Sequence, residues 1–321
     1  MASSEPGSLS LRLAGIEYGA EGVNIYRFAS VDGAALPGFE PGAHVDVHIG
    51  PALMRQYSLL WPAPAPDAYA IAVQVDMAGK GGSRALHHES VVGHRYALSA
   101  PRQHFGLAEA GAAGHWLFAG GIGITPIISM YRKLRRAGQP ARLHYWAKTP
   151  GQMLFFDELR AAGGEVRLFH TEADTRAPRL ADILAEVPAD AQLYCCGPAG
   201  MIDAFDAACA RRPAANVHRE RFSAALPEDL GPEDAFRVTL RKSGKVLTVQ
   251  PDETLLGACL AAGVDVSYSC EEGVCGACEV KVLAGAVIHR DSVLSPAAQA
   301  QSASMMICCS RGVGSSLELD I

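Results

Sequence analysis

Over the first hundred or so residues apolar and polar positions alternate in short runs broken by Gly and Pro, the period of half-buried strands. Ala43 to Ile49 puts Val45, Val47 and Ile49 on one face and His44, Asp46 and His48 on the other. Ala70 to Val75 and His94 to Leu98 read as further strands, and the set predicts a small antiparallel β-barrel. At His115 the pattern changes. Strands at Trp116–Ala119, Arg142–Trp146, Val166–Phe169, Gln192–Cys195 and Val217–Phe222 alternate with helices at Pro126–Ala137, Phe155–Ala162, Leu180–Glu186 and Gly200–Ala210. That alternation predicts an α/β domain, a parallel sheet with helices on both faces. Ser223 to Asp234 is acidic, carries two prolines and reads as a linker. Beyond it, Phe236–Leu240 and Val246–Val249 flank Lys242-Ser-Gly-Lys245 as a hairpin, and a short helix spans Thr254 to Ala262. The expected division is a barrel over 1–108, an α/β domain over 109–223, a linker over 224–235 and a last domain over 236–321.

Composition adds limits. At 321 residues, 49% hydrophobic and 19% charged, the chain is globular and too long for one ordinary core. A net charge of -6 argues against a nucleic-acid partner, which would need a basic stripe. The first residues show no basic stretch leading into an apolar run, and no apolar segment reaches the roughly 18–20 residues that span a bilayer. The longest, around Trp116 to Met130, is broken by Gly120, Gly121, Gly123 and Pro126. No membrane partner is expected, and the cytoplasm is the expected location.

Five of the nine cysteines lie between Cys270 and Cys309. Cys270-Glu-Glu-Gly-Val-Cys275-Gly-Ala-Cys278 has the C-x4-C-x2-C spacing of plant-type [2Fe–2S] ligation, with Cys308 downstream as fourth ligand. Four thiolates must converge on two tetrahedral irons, and Gly273 and Gly276 ease so tight a loop. A zinc ribbon would present two C-x2-C pairs, and here there is one. Cys309 is then a neighbour in the core. Cys195, Cys209 and Cys259 sit in apolar surroundings and are expected to pack as small hydrophobes.

Ala119-Gly-Gly-Ile-Gly-Ile-Thr-Pro126 follows a strand and opens a helix, where backbone N–H groups and the helix dipole suit a pyrophosphate. Thr125 suits the N-cap and Pro126 the first helical position. The turn departs from the Rossmann fingerprint, since no acidic residue ends the second strand, where Ala147-Lys148-Thr149 stands. On the barrel, Arg55 could clamp a phosphate, and Tyr57, facing the same side, could pack on a planar cofactor. Gly79-Lys80-Gly81-Gly82-Ser83 offers further N–H groups. His44, Asp46 and His48 are expected to form the polar outer face of a barrel strand rather than a metal site, and His87-His88 and Phe155-Phe156 to be structural.

In this order the motifs resemble the phthalate dioxygenase reductase family, which includes the reductases of vanillate and other O-demethylases and of carnitine monooxygenase. The likeness runs from about Leu9 to the C-terminus. It rests on Arg55-x-Tyr57-Ser58, Gly81-Gly82-Ser83, Gly120-Gly-Ile-Gly-Ile-Thr-Pro126, Cys196-Gly197-Pro198-Ala-Gly200-Met201 and Cys270, Cys275, Cys278 and Cys308. The resemblance implies a flavin barrel, a nucleotide domain and a β-grasp plant-type ferredoxin domain, in that order. It implies FMN, NADH and a [2Fe–2S] cluster as cofactors and a Rieske-type terminal oxygenase as acceptor. Arg55 and Ser83 would hold the FMN phosphate, Tyr57 would pack on the isoalloxazine and Ser58 would sit near its redox-active edge. Gly121 and Thr125 would face the nucleotide phosphates, Cys196 would lie by the nicotinamide and Phe222 would border the flavin. Glu271, Glu272 and Glu279 suggest an acidic rim for a basic partner. Two rivals remain: a self-sufficient NAD(P)H diaphorase reducing a small acceptor, and a zinc-binding adaptor with a nucleotide sensor.

Overall fold

A computed structural model describes residues 8–50, 53–79, 81–172, 177–222, 234–268, 270–294 and 296–321. The chain divides after Arg221 into two compact units. Of the linker expected at 224–235, residues 224–233 lie outside the described residues, as does Lys80.

The first unit opens with β1 (Leu9–Ala20), β2 (Val23–Ser30), β3 (Ala43–Gly50), β4 (Leu53–Leu60) and β5 (Ala68–Gln74), followed by α1 (Gly82–Glu89), β6 (Arg95–Leu98) and β7 (Arg102–Gln103). The strands run in the order β4-β5-β2-β1-β6-β3, and a β3–β4 pairing closes them into an antiparallel barrel, with β7 alongside β3. Inward-facing Leu13, Phe28, Val45, Val47, Leu59 and Ile71 fill it. Closure leaves the barrel strands without open edges.

The other face of β3 differs from expectation. His44 and Asp46 are 2% and 3% exposed. The segment carrying β7 folds over them: Arg102 bonds the Asp46 carboxylate at 2.6 Å, and the His104 ring stacks on His44 at 5.2 Å. Alternation marked the two faces correctly, but the second is a buried polar layer, paired internally, rather than a solvated one.

The α/β part follows as β8 (His115–Gly120), α2 (Ile124–Arg136), β9 (Ala141–Ala147), α3 (Phe156–Ala162), β10 (Val166–His170), α4 (Leu180–Ala185), β11 (Gln192–Cys196), α5 (Ala199–Cys209) and β12 (Val217–Glu220). Its sheet is parallel, in the order β10-β9-β8-β11-β12. Period-2 alternation sends Leu117 and Ala119 of β8 to one side, under Ile127, Ile128 and Met130 of α2. Trp116 and Phe118 go to the other, under Ile183 of α4 and Phe205 of α5. Both sheet faces are therefore apolar, as a buried parallel sheet requires. The α2 side continues into the barrel: Val23, Ile25, Leu60 and Ala72 belong to the same core, and the Ser129 hydroxyl donates to the Leu59 carbonyl at 3.1 Å.

The start of α2 also departs from expectation. A 3-10 turn at Gly121–Gly123 runs straight into the helix, whose N-cap is Gly123 with no side-chain cap. Thr125 is already helical and its hydroxyl donates back to the Ile122 carbonyl at 3.0 Å. Neither Thr125 as cap nor Pro126 as first helical residue describes this turn.

The second unit holds β13 (Phe236–Leu240), β14 (Lys245–Val249), α6 (Leu255–Ala261), β15 (Glu279–Ile288), α7 (Pro296–Gln301), β16 (Ser304–Met306) and β17 (Arg311–Leu319). The sheet order is β14-β13-β17-β15-β16, with β13 and β17 parallel, the β-grasp arrangement of a plant-type ferredoxin domain. Thr254 caps α6 by accepting from the Gly257 N–H at 3.0 Å. Leu255, Leu256 and Cys259 of that helix pack on Val238, Leu240 and Leu319 as a separate core. Cys195, Cys209 and Cys259 are all buried, as expected. With 13 acidic against 7 basic residues, 222–321 carries the whole net charge of -6. Among the described residues no helix is long and apolar enough to cross a membrane.

Candidate functional site

Arg55, Tyr57 and Ser58 lie on β4, in register with Val47, Val45 and His44 of β3. Strand periodicity puts Arg55 and Tyr57 on one side, and α1 meets them there. A Cβ added at Gly82 would fall 2.5 Å from Cγ of Arg55, so the arginine stem crosses the first turn of α1 against bare backbone. Gly81, the N-cap, has φ +91, a conformation that suits glycine. The Ser83 hydroxyl accepts from the Asp76 N–H at 3.0 Å and keeps its own hydrogen to donate. Burial pushes the Tyr57 phenol up, against the opposing pull of the Arg55 guanidinium, so the ring stays neutral. Ser58 is buried. A guanidinium, a helix N-terminus, a hydroxyl and an aromatic wall thus converge, and they suit a phosphorylated planar group.

In the parallel sheet the chain order reverses between β8 and β11, where successive connections pass to opposite faces. Ligands of open α/β sheets bind in the crevice this leaves at the carboxyl ends of the strands. Two glycine turns meet there. A Cβ on Gly123 would be 2.3 Å from the Cys196 carbonyl oxygen, and one on Gly120 would be 2.6 Å from Sδ of Met201 and 2.7 Å from Pro198. One on Gly197 would be 3.1 Å from the Gly120 backbone. Gly121, at φ +53, has open space where a side chain would be, and its carbonyl accepts from the Tyr145 hydroxyl at 3.1 Å. The sequence motifs Gly120–Pro126 and Cys196–Met201 are therefore one structure.

Cys196 ends β11 with its side chain fully buried, and burial holds its thiol protonated. In register with it on β12 is Glu220. Although this residue is partly exposed as a whole, its Oε2 is sealed from solvent with no hydrogen-bond partner, and burial pushes the carboxyl up to about 8. Sequence reasoning passed over Glu220. An acid ending the last strand was visible, but not that its oxygen would be shut away. Phe222 opens the second unit and is 42% exposed.

The cysteine loop is built from thiols and N–H groups. The thiols of Cys270, Cys275, Cys278 and Cys308 are near enough to perturb one another's ionisation. Glu272 and Val274 N–H groups donate to the Cys270 sulfur at 3.3 and 3.5 Å, and Cys270 and Ala277 N–H groups to the Cys275 sulfur at 3.5 and 3.4 Å. The loop turns tightly enough because Glu271, Gly273 and Gly276 have φ of 56, 71 and 75. Thiol donors hold Cys270 well below the ordinary thiol range, and the same sharing pushes Cys275 and Cys308 up. Four neighbouring soft sulfurs, two of them under backbone N–H groups, fit an iron–sulfur cluster.

Residues 238–312 match the 2Fe-2S iron-sulfur cluster binding domain. A tetrachlorobenzoquinone reductase of Sphingobium chlorophenolicum is 41% identical over 308 residues, covering 94% of each chain. A vanillate O-demethylase oxidoreductase of a Pseudomonas species is 39% identical, covering 94% of this chain and 96% of that one. Phthalate dioxygenase reductase, described as a modular structure for electron transfer from pyridine nucleotides to [2Fe–2S], superimposes with a TM-score of 0.72 at 33% identity over 98% of both chains. The chain belongs to the phthalate dioxygenase reductase family, oxidoreductases with FMN, NADH and a [2Fe–2S] cluster that serve oxygenase systems.

Proposed function

We propose that this chain is the NADH-dependent reductase component of a Rieske-type mono- or dioxygenase, with electrons passing from NADH through FMN and the [2Fe–2S] cluster to the terminal oxygenase. The observation that carries the reading is the grouping of the Cys270, Cys275, Cys278 and Cys308 thiols, with backbone N–H groups directed at the Cys270 and Cys275 sulfurs. Flavin supplies the conversion of a two-electron hydride into single electrons, which a one-electron cluster needs. Plant-type clusters lie near ~-400 mV, a potential that suits donation to a second iron–sulfur protein.

The residues divide the work by position. Arg55, with the Gly81 and Gly82 backbone and the Ser83 hydroxyl, binds the FMN phosphate. Tyr57 would supply a neutral aromatic face for the flavin ring, and Ser58 a hydroxyl for its redox-active part. Gly120, Gly121 and Gly123 let the pyrophosphate approach the first turn of α2, where Thr125 and Pro126 contribute backbone and shape rather than a cap. Gly197, Pro198 and Met201 wall the crevice on the β11 side. Cys196, kept as a thiol, marks the nicotinamide end, and Phe222 borders the flavin. We assign FMN binding to 1–108, NAD binding to 109–223, a linker to 224–235 and the ferredoxin domain to 236–321. Unpaired cysteines throughout fit a reducing compartment, the cytoplasm.

A visible spectrum of the purified protein, followed by anaerobic NADH, tests the reading. Flavin bands over broad iron–sulfur absorption, both bleaching with NADH, are expected; flavin bands alone would end the single-electron half. The 41% identity to a tetrachlorobenzoquinone reductase supports a second reading, a quinone-reducing diaphorase. NADH oxidation driven faster by a quinone than by any Rieske oxygenase component would favour it.

A further inference from the structure

We propose that the Glu21 carboxylate, supplied by the barrel, reads the adenosine ribose of the dinucleotide and selects NADH over NADPH. The proposal rests on NADH binding in the crevice at the carboxyl ends of the parallel strands. In dinucleotide-binding sheets an acidic residue at the end of the second strand hydrogen-bonds the ribose 2′-hydroxyl, one strand away from the pyrophosphate turn. Here that strand is β9, and the stretch after it, Lys148-Thr-Pro-Gly-Gln152, holds one base and no acid. Taken by itself, the end of β9 would suit a 2′-phosphate better than a hydroxyl.

The fold brings an acid to this stretch from the other part of the first unit. β9 runs parallel to β8 with Trp146 opposite Gly120. The Tyr145 hydroxyl donates to the Gly121 carbonyl at 3.1 Å and accepts from the Leu154 N–H at 3.2 Å, so the stretch is tied to the pyrophosphate turn. The barrel meets the same stretch. Glu21 and Gly22 form the turn between β1 and β2, with Gly22 at φ +72 and its carbonyl accepting from the Val75 N–H at 2.9 Å. The Glu21 N–H donates to the Gly151 carbonyl at 2.8 Å, and a Cβ on Gly19 would fall 2.7 Å from Cδ1 of Leu154.

The side chain follows its backbone. A Cβ on Gly151 would fall against the Glu21 carboxylate, 2.6 Å from its carbon, so the group lies over the turn because residue 151 is bare. Glu21 is exposed, and its carboxylate takes no hydrogen bond or ion pair among the described residues. Two acceptor oxygens match the two hydroxyls of a ribose. The same charge opposes the phosphate that replaces one of those hydroxyls in NADPH.

The test is calorimetric titration of the full-length holoprotein with ADP-ribose and 2′-phospho-ADP-ribose. Both lack the nicotinamide, so they report binding without hydride transfer; kcat/KM for NADH and NADPH is measured alongside. We expect the wild type to favour ADP-ribose and Glu21→Gln to weaken it about tenfold, with the NADH preference falling in step. Gly151→Ala, which displaces the carboxylate, should act in the same direction and add nothing to Glu21→Gln. Glu172→Gln is the control, because the Glu172 N–H donates to the Lys148 carbonyl at 3.0 Å and places a second acid beside β9. An unchanged preference in Glu21→Gln would overturn the proposal. So would a larger loss in Glu172→Gln, or equal wild-type affinity for the two fragments. A wild type that binds neither fragment and leaves NADH unoxidised would instead overturn the nucleotide reading itself.

Discussion

At Gly123 an added carbon would lie 2.3 Å from a main-chain oxygen, that of Cys196; at Gly82 it would lie 2.5 Å from Cγ of Arg55, the stem of a long side chain. Both glycines lie in turns of the first unit to which we assign phosphate binding, yet one presses on backbone and the other on a side chain. The cysteine loop of the second unit works differently again. There the binding atoms are side chains, and glycines serve only to bend the chain so that N–H groups face the sulfurs. The first unit binds by what its turns lack, the second by what its loop presents. Damage should follow that division: deleting a thiol removes a function outright, whereas filling a glycine acts in proportion to what it strikes.

The largest effect is expected from Cys275→Ser. It should abolish the broad iron–sulfur absorption and electron delivery to a protein acceptor, while NADH-dependent reduction of ferricyanide at the flavin persists. Parallel loss of both activities in stopped-flow assays would break the division between units. Next, Gly123→Ala should cost about 1–3 kcal/mol as overpacking against immovable backbone, and NADH should no longer bleach the flavin. Gly82→Ala should cost less stability and show itself as faster loss of FMN on dialysis. Equal thermal destabilisation by both would erase the contrast between backbone and side-chain neighbours.

Smaller effects sharpen the comparison. The Glu220 carboxyl, raised from 4.5 to about 8, holds in the native state a proton that the unfolded chain releases. Stability should therefore decline as pH rises between those values, because ionising the buried oxygen opposes folding. Glu220→Gln should flatten this dependence in melting curves from pH 5 to 9, on the order of a few degrees, the residue's partial exposure tempering the effect. A slope unchanged in the variant would show that another group titrates. Least of all, Glu271→Gly should relieve the left-handed backbone at φ 56 and stabilise the second unit by up to about 1 kcal/mol. A loss of stability there would mean that the glutamate side chain holds the loop.

Much of this architecture was legible in the sequence. Strand and helix positions followed from periodicity, and the cysteine spacing carried its own geometry. What stayed hidden depends on contacts between distant segments. Alternation gave β3 two faces but could not say that Arg102 and His104 would cover the polar one. Thr125 and Pro126 looked like a cap because a 3-10 turn made of glycines leaves no pattern distinct from a loop. The meeting of Gly120 with Gly197, and the sealing of Glu220, require strands β8, β11 and β12 to be neighbours. Only the sheet order supplies that.

The core that runs from Val23 and Leu60 of the barrel to Ile127 and Tyr145 of the parallel sheet has a consequence for how such proteins can be rearranged. A cut between those two sheets would bare the core they share, so they should melt together and be inherited together. The cysteine-bearing unit closes its own interior around Leu255 and Leu319. It is the piece that can be exchanged or grafted onto another carrier while the core shared by the other two sheets stays closed.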